Sequence, residues 1–262
     1  MDVIMLSAIA GIFGMGLGGL IAAVLLKNPS EKVMCWMLSF AGGIMIGIVC
    51  FGIIPEAAEI SNTIIAMVGL IVGIVVIMIL NRIVDNISST ATGDPNVHHT
   101  HEELYHADSS VFKNRSRMLR SGIIMFIAIA LHNLPEGIAI GAGGTYDFQL
   151  GVILAIMITI HSLPEGMAVA ALLLAGGVGK WKVVLITELS GTPVLIGGII
   201  GILVGGISDV AVAISLAVAG GAMLYVVFGE IIPQSIVMTK SRIATIITLA
   251  GIIIGLGLTL LH

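Results

Sequence analysis

Eight apolar runs, each close to the ~20 residues a helix needs to cross the hydrocarbon of a bilayer, take up most of this chain. They cover roughly 3–26, 33–54, 62–83, 119–142, 149–175, 181–206, 210–237 and 243–261. The runs are continuous rather than alternating, which excludes a membrane β-barrel and predicts helices. Only 10% of the 262 residues are charged, too few to clothe a soluble domain of this length. The expectation is an all-α membrane protein, with 1–262 a single transmembrane domain in a lipid bilayer.

The charges that remain are sorted by side. Lys27 and Lys32 fall between the first two spans, and Arg82, Lys113, Arg115, Arg117 and Arg120 lie around the link from the third to the fourth. Lys180 and Lys182 separate the fifth from the sixth; Lys240 and Arg242 separate the seventh from the eighth. The alternate links (55–61, 143–148 and 207–209) carry no Lys or Arg. By the positive-inside rule the basic links are cytoplasmic, and both termini are extracytoplasmic in a multi-pass cell-membrane protein. No basic tract interleaves with aromatics, so no nucleic-acid partner is expected. Cys35 and Cys50 share one apolar run and suggest neither a disulfide framework nor a thiolate metal site.

One hexapeptide occurs twice, twenty-nine positions apart: His132-Asn133-Leu134-Pro135-Glu136-Gly137 in the fourth span and His161-Ser162-Leu163-Pro164-Glu165-Gly166 in the fifth. A histidine and a carboxylate four residues apart share a helix face. At mid-membrane depth such a pair is costly unless it faces a cavity and binds something. Each proline lacks the N–H that would reach back four residues, so the carbonyls of Leu131 and Ile160 are left free at the same depth. Two imidazoles, two carboxylates and free carbonyls suit a divalent cation, and His132, Glu136, His161 and Glu165 are the strongest candidate ligands.

A second repeat frames the first. Ala41-Gly42-Gly43-Ile44-Met45 with Ile53-Ile54-Pro55 aligns without gaps on Ala219-Gly220-Gly221-Ala222-Met223 with Ile231-Ile232-Pro233. The second and seventh spans cross in opposite directions, as do the fourth and fifth. Three spans, a central pair, and three more related by inversion predict eight transmembrane helices in a 3+2+3 inverted-repeat arrangement, a transporter plan.

Other polar positions admit two readings each. Asn133 and Ser162 point about 100° round their helices from the histidines, lining a second metal position or making interhelical hydrogen bonds. Glu188, in the sixth span ahead of Pro193, is a ligand or a buried structural acid. Glu230 sits near the inner end of the seventh span, where Pro233 frees the carbonyl of Gly229; it is an exit-path ligand or an interfacial acid. Met45 is the weakest candidate, since a membrane-helix methionine usually packs. The long polar insert, 84–118, carries His98, His99, His101, His106, Asp94, Glu102, Glu103 and Asp108 on the cytoplasmic side. It is a His-rich loop that binds divalent metals, or a solvated linker.

His-Asn-Leu-Pro-Glu-Gly and His-Ser-Leu-Pro-Glu-Gly, in the fourth and fifth of eight spans, resemble the signature of the ZIP (Zrt-, Irt-like) divalent-metal transporters. The resemblance implies a binuclear site between these helices. One metal would be held by His132, Glu136, His161 and Glu165, with Met45 nearby. The second would use Asn133, Glu136, Ser162, Glu165 and Glu188, the glutamates bridging. Ser162 stands where many members have Asn or Asp, and Gly52 occupies the symmetry mate of Glu230. The resemblance also implies a homodimer.

The function expected is transport of a divalent transition-metal ion into the cytoplasm by alternating access, with no cofactor and no enzymatic step. Zn2+ leads, with Cd2+, Fe2+ and Mn2+ open because His/carboxylate sites bind them with overlapping affinity. A metal-selective channel is the rival within transport. An intramembrane metalloenzyme is the rival from another class; the absence of His-Glu-x-x-His weighs against it.

Overall fold

The computed structural model describes residues 2–25, 31–92, 115–239 and 241–260. Within them the chain is helical, with short turns and no strand. The helices are α1 (Val3–Leu25), α2 (Lys32–Ile60), α3 (Thr63–Thr92), α4 (Arg115–Tyr146), α5 (Phe148–Ala175) and α6 (Lys180–Gly205). α7 is built from Asp209–Val226, a π turn at Val227–Ile231 and Ile232–Thr239; α8 is Ile243–Thr259. Seven of them are long and apolar enough to cross a membrane. α8 is apolar but has 17 residues, about 25 Å of helix against a core of about 30 Å.

The third helix does not stop where its apolar run does. Polarity alone does not end a helix, and between Arg82 and Thr92 the sequence offers no breaker until Gly93 and Pro95. α3 therefore continues to Thr92 and α4 begins at Arg115, so both ends of the expected 84–118 loop are helical. Its histidines and acids at 94–108 lie outside the described residues.

Turn chemistry sets the depth of the hexapeptides. Asp147 caps α5, its carboxylate accepting from the Gln149 N–H at 3.1 Å. His132 and His161 stand fifteen and fourteen residues from this single-residue turn, so both sit about 21–23 Å below it. At the other end of α5, Gly177 takes φ +82°, a conformation glycine adopts without strain. Arg115 closes that end: its Nε and Nη2 donate to the carbonyls of Gly176 and Gly177 at 3.2 and 3.0 Å. A guanidinium on the exposed carbonyls of a helix C-terminus is favourable, and it fastens the start of α4 to the end of α5.

Packing follows a pattern. α4 lies on α6 and α1 on α5; α2 lies on α8 and α3 on α7. α7 on α4 and α2 on α5 join the two sets. Small residues let the backbones approach closely, as lipid-embedded helices require, and the close approaches recur between matching helices. A Cβ on Gly73 would meet the Val218 carbonyl at 2.0 Å; 178 positions on, one on Gly251 would meet the Phe40 carbonyl at 2.5 Å. A Cβ on Gly18 would meet the Leu163 carbonyl as one on Gly197 would meet that of Leu134, both at 2.2 Å. α2 and α7 even carry their π turns at matching places, Val49–Ile53 and Val227–Ile231, each shortly before its proline. Gly42 approaches Ile231 while Gly220 approaches Ile53, so these two helices run antiparallel. α3 lies at the rim, turning Ile64, Met67, Val68 and Ile71 outward.

Candidate metal site

Pro135 and Pro164 both lie inside uninterrupted helices. α4 and α5 meet along the face that carries the two hexapeptides, and the four candidate ligands are at most 1% exposed. They pair across the helices. His161 Nε2 is 2.8 Å from Glu136 Oε1, and His132 Nε2 is 3.4 Å from Glu165 Oε2. Within α4, His132 Nε2 and Glu136 Oε1 are 4.0 Å apart. His132 is thus closer to the carboxylate of the other copy than to that of its own helix.

A backbone group orients one ring. His161 Nδ1 donates to the Met157 carbonyl at 3.1 Å, which turns Nε2 toward the site, the arrangement that fixes a ligating imidazole in metalloproteins. His132 has no equivalent: its Nδ1 is buried without a protein partner, as are Asn133 Oδ1, Glu136 Oε2, Ser162 Oγ and Glu165 Oε1. All five atoms belong to the two hexapeptides. A buried polar atom left unmet costs about 1–3 kcal/mol, so five together rival the entire net stability of a domain, about 5–15 kcal/mol. Atoms held this way call for an additional group to bind.

The remaining candidates spread outward from this centre. Asn133 Nδ2 donates to the Ser190 carbonyl of α6 at 2.6 Å. Ser162 lies against Gly14 of α1, and the Glu188 side chain lies along Gly16 of the same helix. Glu188 is half-buried; Met45 is fully buried in the core on α2. Glu230 is half-buried on the α7 π turn, and the Asn81 amide of α3 donates to its Oε1. Among the described residues no three or more His, Cys, Asp or Glu side chains form a ready metal cage; the four central ones hold one another in His–Glu couples. The sequence offered no signal for Met157 or Ser190, whose backbone carbonyls act here. Asn81 was legible only as a polar residue at the end of an apolar run.

A multi-pass helical membrane protein with imidazoles and carboxylates facing each other across two proline-bearing helices has the composition of a metal-ion transporter. The chain belongs to the ZIP zinc-transporter family: the family model described as ZIP Zinc transporter matches residues 81–262. Such proteins are membrane transporters, not enzymes. It is 32% identical over 244 residues to the zinc transporter ZupT of Akkermansia muciniphila, covering 89% of this chain and 87% of that one. To ZupT of Corynebacterium efficiens it is 31% identical over 232 residues, 84% of this chain and 82% of the relative. The zinc transporter ZIP11 of Xenopus tropicalis is 36% identical over 143 residues, 52% of this chain and 43% of the relative. The chain is a bacterial-type member of the family and a transporter of metal ions.

Proposed function

We propose that this protein carries Zn2+, or a first-row divalent ion of similar chemistry, across the cell membrane into the cytoplasm, with the cargo bound between α4 and α5. His132, Glu136, His161 and Glu165 hold one ion; Asn133, Glu136, Ser162, Glu165 and Glu188 surround a second, the glutamates bridging. The observation that carries this reading is that, among the described residues, the five partnerless buried side-chain atoms all lie on the hexapeptides. The buried glutamates supply two negative charges that a divalent cation offsets, and the imidazoles supply borderline-soft nitrogen suited to Zn2+. To enter, the ion displaces the His–Glu contacts and takes over their lone pairs.

The eight helices form a 3+2+3 inverted repeat, and transport proceeds by alternating access as one half of the repeat moves against the other. The recurrence of glycine–carbonyl contacts between matching helices supports the repeat. Both termini lie outside, a reading that the one-sided Lys and Arg residues support, and Glu230 stands on the cytoplasmic exit. Met45 serves packing first. The protein works as a homodimer. Uptake by purified protein in sealed vesicles, over a panel of Zn2+, Cd2+, Fe2+ and Mn2+, tests this. Zn2+ accumulation lost in His132→Ala supports it, and no accumulation of any of the four ions overturns it.

A further inference from the structure

We propose that the Ser190 backbone carbonyl of α6 is the positioning group for Asn133, turning its amide oxygen into the metal site, so that position 133 works as an amide and not as a carboxylate. The proposal rests on the reading above, in which the hexapeptides hold the cargo. A side-chain amide has two unlike ends: its nitrogen only donates and its oxygen only accepts. A backbone carbonyl only accepts. The 2.6 Å contact between Asn133 Nδ2 and the Ser190 carbonyl therefore decides which end of the amide faces α6. The opposite end, Oδ1, is buried and meets no protein donor.

The carbonyl is itself held in place. Ser190 Oγ donates to the Thr187 carbonyl at 2.7 Å, and Thr187 Oγ1 bonds the Val184 carbonyl at 2.8 Å. One residue further on, a Cβ at Gly191 would stand 2.2 Å from the Gly11 carbonyl of α1. With backbone against backbone, this stretch of α6 cannot slide to accommodate a different side chain at 133. Ser162, the equivalent residue of the second hexapeptide, has no such anchor: its Oγ is partnerless, and a hydroxyl rotates to suit either role. The two copies are therefore unequal, one side chain being clipped to its neighbouring helix and the other loose.

This makes a prediction opposite to ordinary ligand chemistry. A carboxylate binds a divalent ion better than an amide does, so Asn133→Asp should tighten binding if position 133 is a ligand and nothing more. With the Ser190 carbonyl in place, the substitution sets two acceptors face to face with no proton between them, away from water, where unmet polar groups are costly. The carboxylate turns aside and its oxygen leaves the site. Ser162→Asp meets no such conflict.

The test is Zn2+ titration by calorimetry on the full chain in lipid nanodiscs, with Asn133→Asp, Asn133→Ala and Ser162→Asp. Asn133→Asp should weaken the second Zn2+ at least about tenfold and bind it no better than Asn133→Ala, while Ser162→Asp tightens it. Tighter binding in Asn133→Asp overturns the proposal. Should that variant not fold, crystals of the unaltered protein soaked in Zn2+ decide. Asn133 Oδ1 at about 2.0–2.2 Å from the ion, with Nδ2 on the Ser190 carbonyl, supports it; an amide oxygen turned from the metal overturns it. His132→Ala and Glu165→Ala run alongside. If they leave Zn2+ binding intact, the reading of the site fails; if they abolish it while Asn133→Asp tightens, only the orientation fails.

Discussion

His161 Nε2 and Glu136 Oε1 lie 2.8 Å apart although they belong to different helices and to different copies of the hexapeptide. Their counterparts, His132 and Glu165, make the reciprocal contact at 3.4 Å. Crossed pairing makes the site a property of the α4–α5 interface, so neither helix supplies it alone. Removing any member strips a partner from the opposite helix.

His132→Ala and Glu165→Ala should each reduce Zn2+ uptake to background while the protein still inserts. Losing one ligand removes the ion and leaves buried carboxylates uncompensated. Uptake is measured in sealed vesicles at matched protein levels; activity within a factor of about two of the unaltered protein would contradict the site.

Acidification should weaken metal binding. Imidazole ligates only when neutral and carboxylate only when ionised, so protons and metal compete for the same lone pairs. The sign is fixed: affinity is greatest at the alkaline end and falls as pH drops through the range where imidazole titrates, for which the reference value is ~6.5. Zn2+ affinity measured from pH 7.5 to 5 should fall about tenfold per proton displaced per pH unit at the acid end. A flat profile would rule out His and Glu as ligands.

Deleting residues 94–108 should leave the maximal transport rate within about twofold and change its dependence on metal concentration. The deleted stretch lies outside the spans and cannot supply mid-membrane ligands. Loss of uptake by folded, inserted protein would make the segment part of the pathway.

Glu188→Gln should empty the second metal position while the first stays filled, because Glu136 and Glu165 already offset the first ion. Anomalous peaks counted in metal-soaked crystals report this directly. Equal occupancy of both positions would dismiss Glu188 as the second ion's compensating charge.

Gly18→Val and Gly197→Val should destabilise the fold to a similar degree, because each places a side chain within 2.2 Å of the hexapeptide carbonyl of Leu163 or Leu134. Overpacking costs about 1–3 kcal/mol where neighbours can shift, and backbone cannot. Thermal melting in detergent should show both variants lowered by several degrees, and one tolerated with the other lethal would refute the equivalence of the two halves.

The sequence by itself determined the helical membrane class, five of the spans to within two residues of their ends, and the His/Glu quartet as candidate ligands. Apolar runs of bilayer length and buried charge at mid-depth have few alternative explanations, and both are written in local residue order. It erred at Ile60, where the second helix runs six residues past the expected end at 54, and at Thr92, since a hydropathy boundary marks where lipid ends and not where a helix ends. The crossed pairing and the orientation of Asn133 by the Ser190 carbonyl were decided by tertiary structure alone. Backbone carbonyls carry no residue signature, so which of them faces a given side chain depends on how far one helix slides and rotates against another. The close glycine contacts of α1, α4, α5 and α6 fix that slide and rotation.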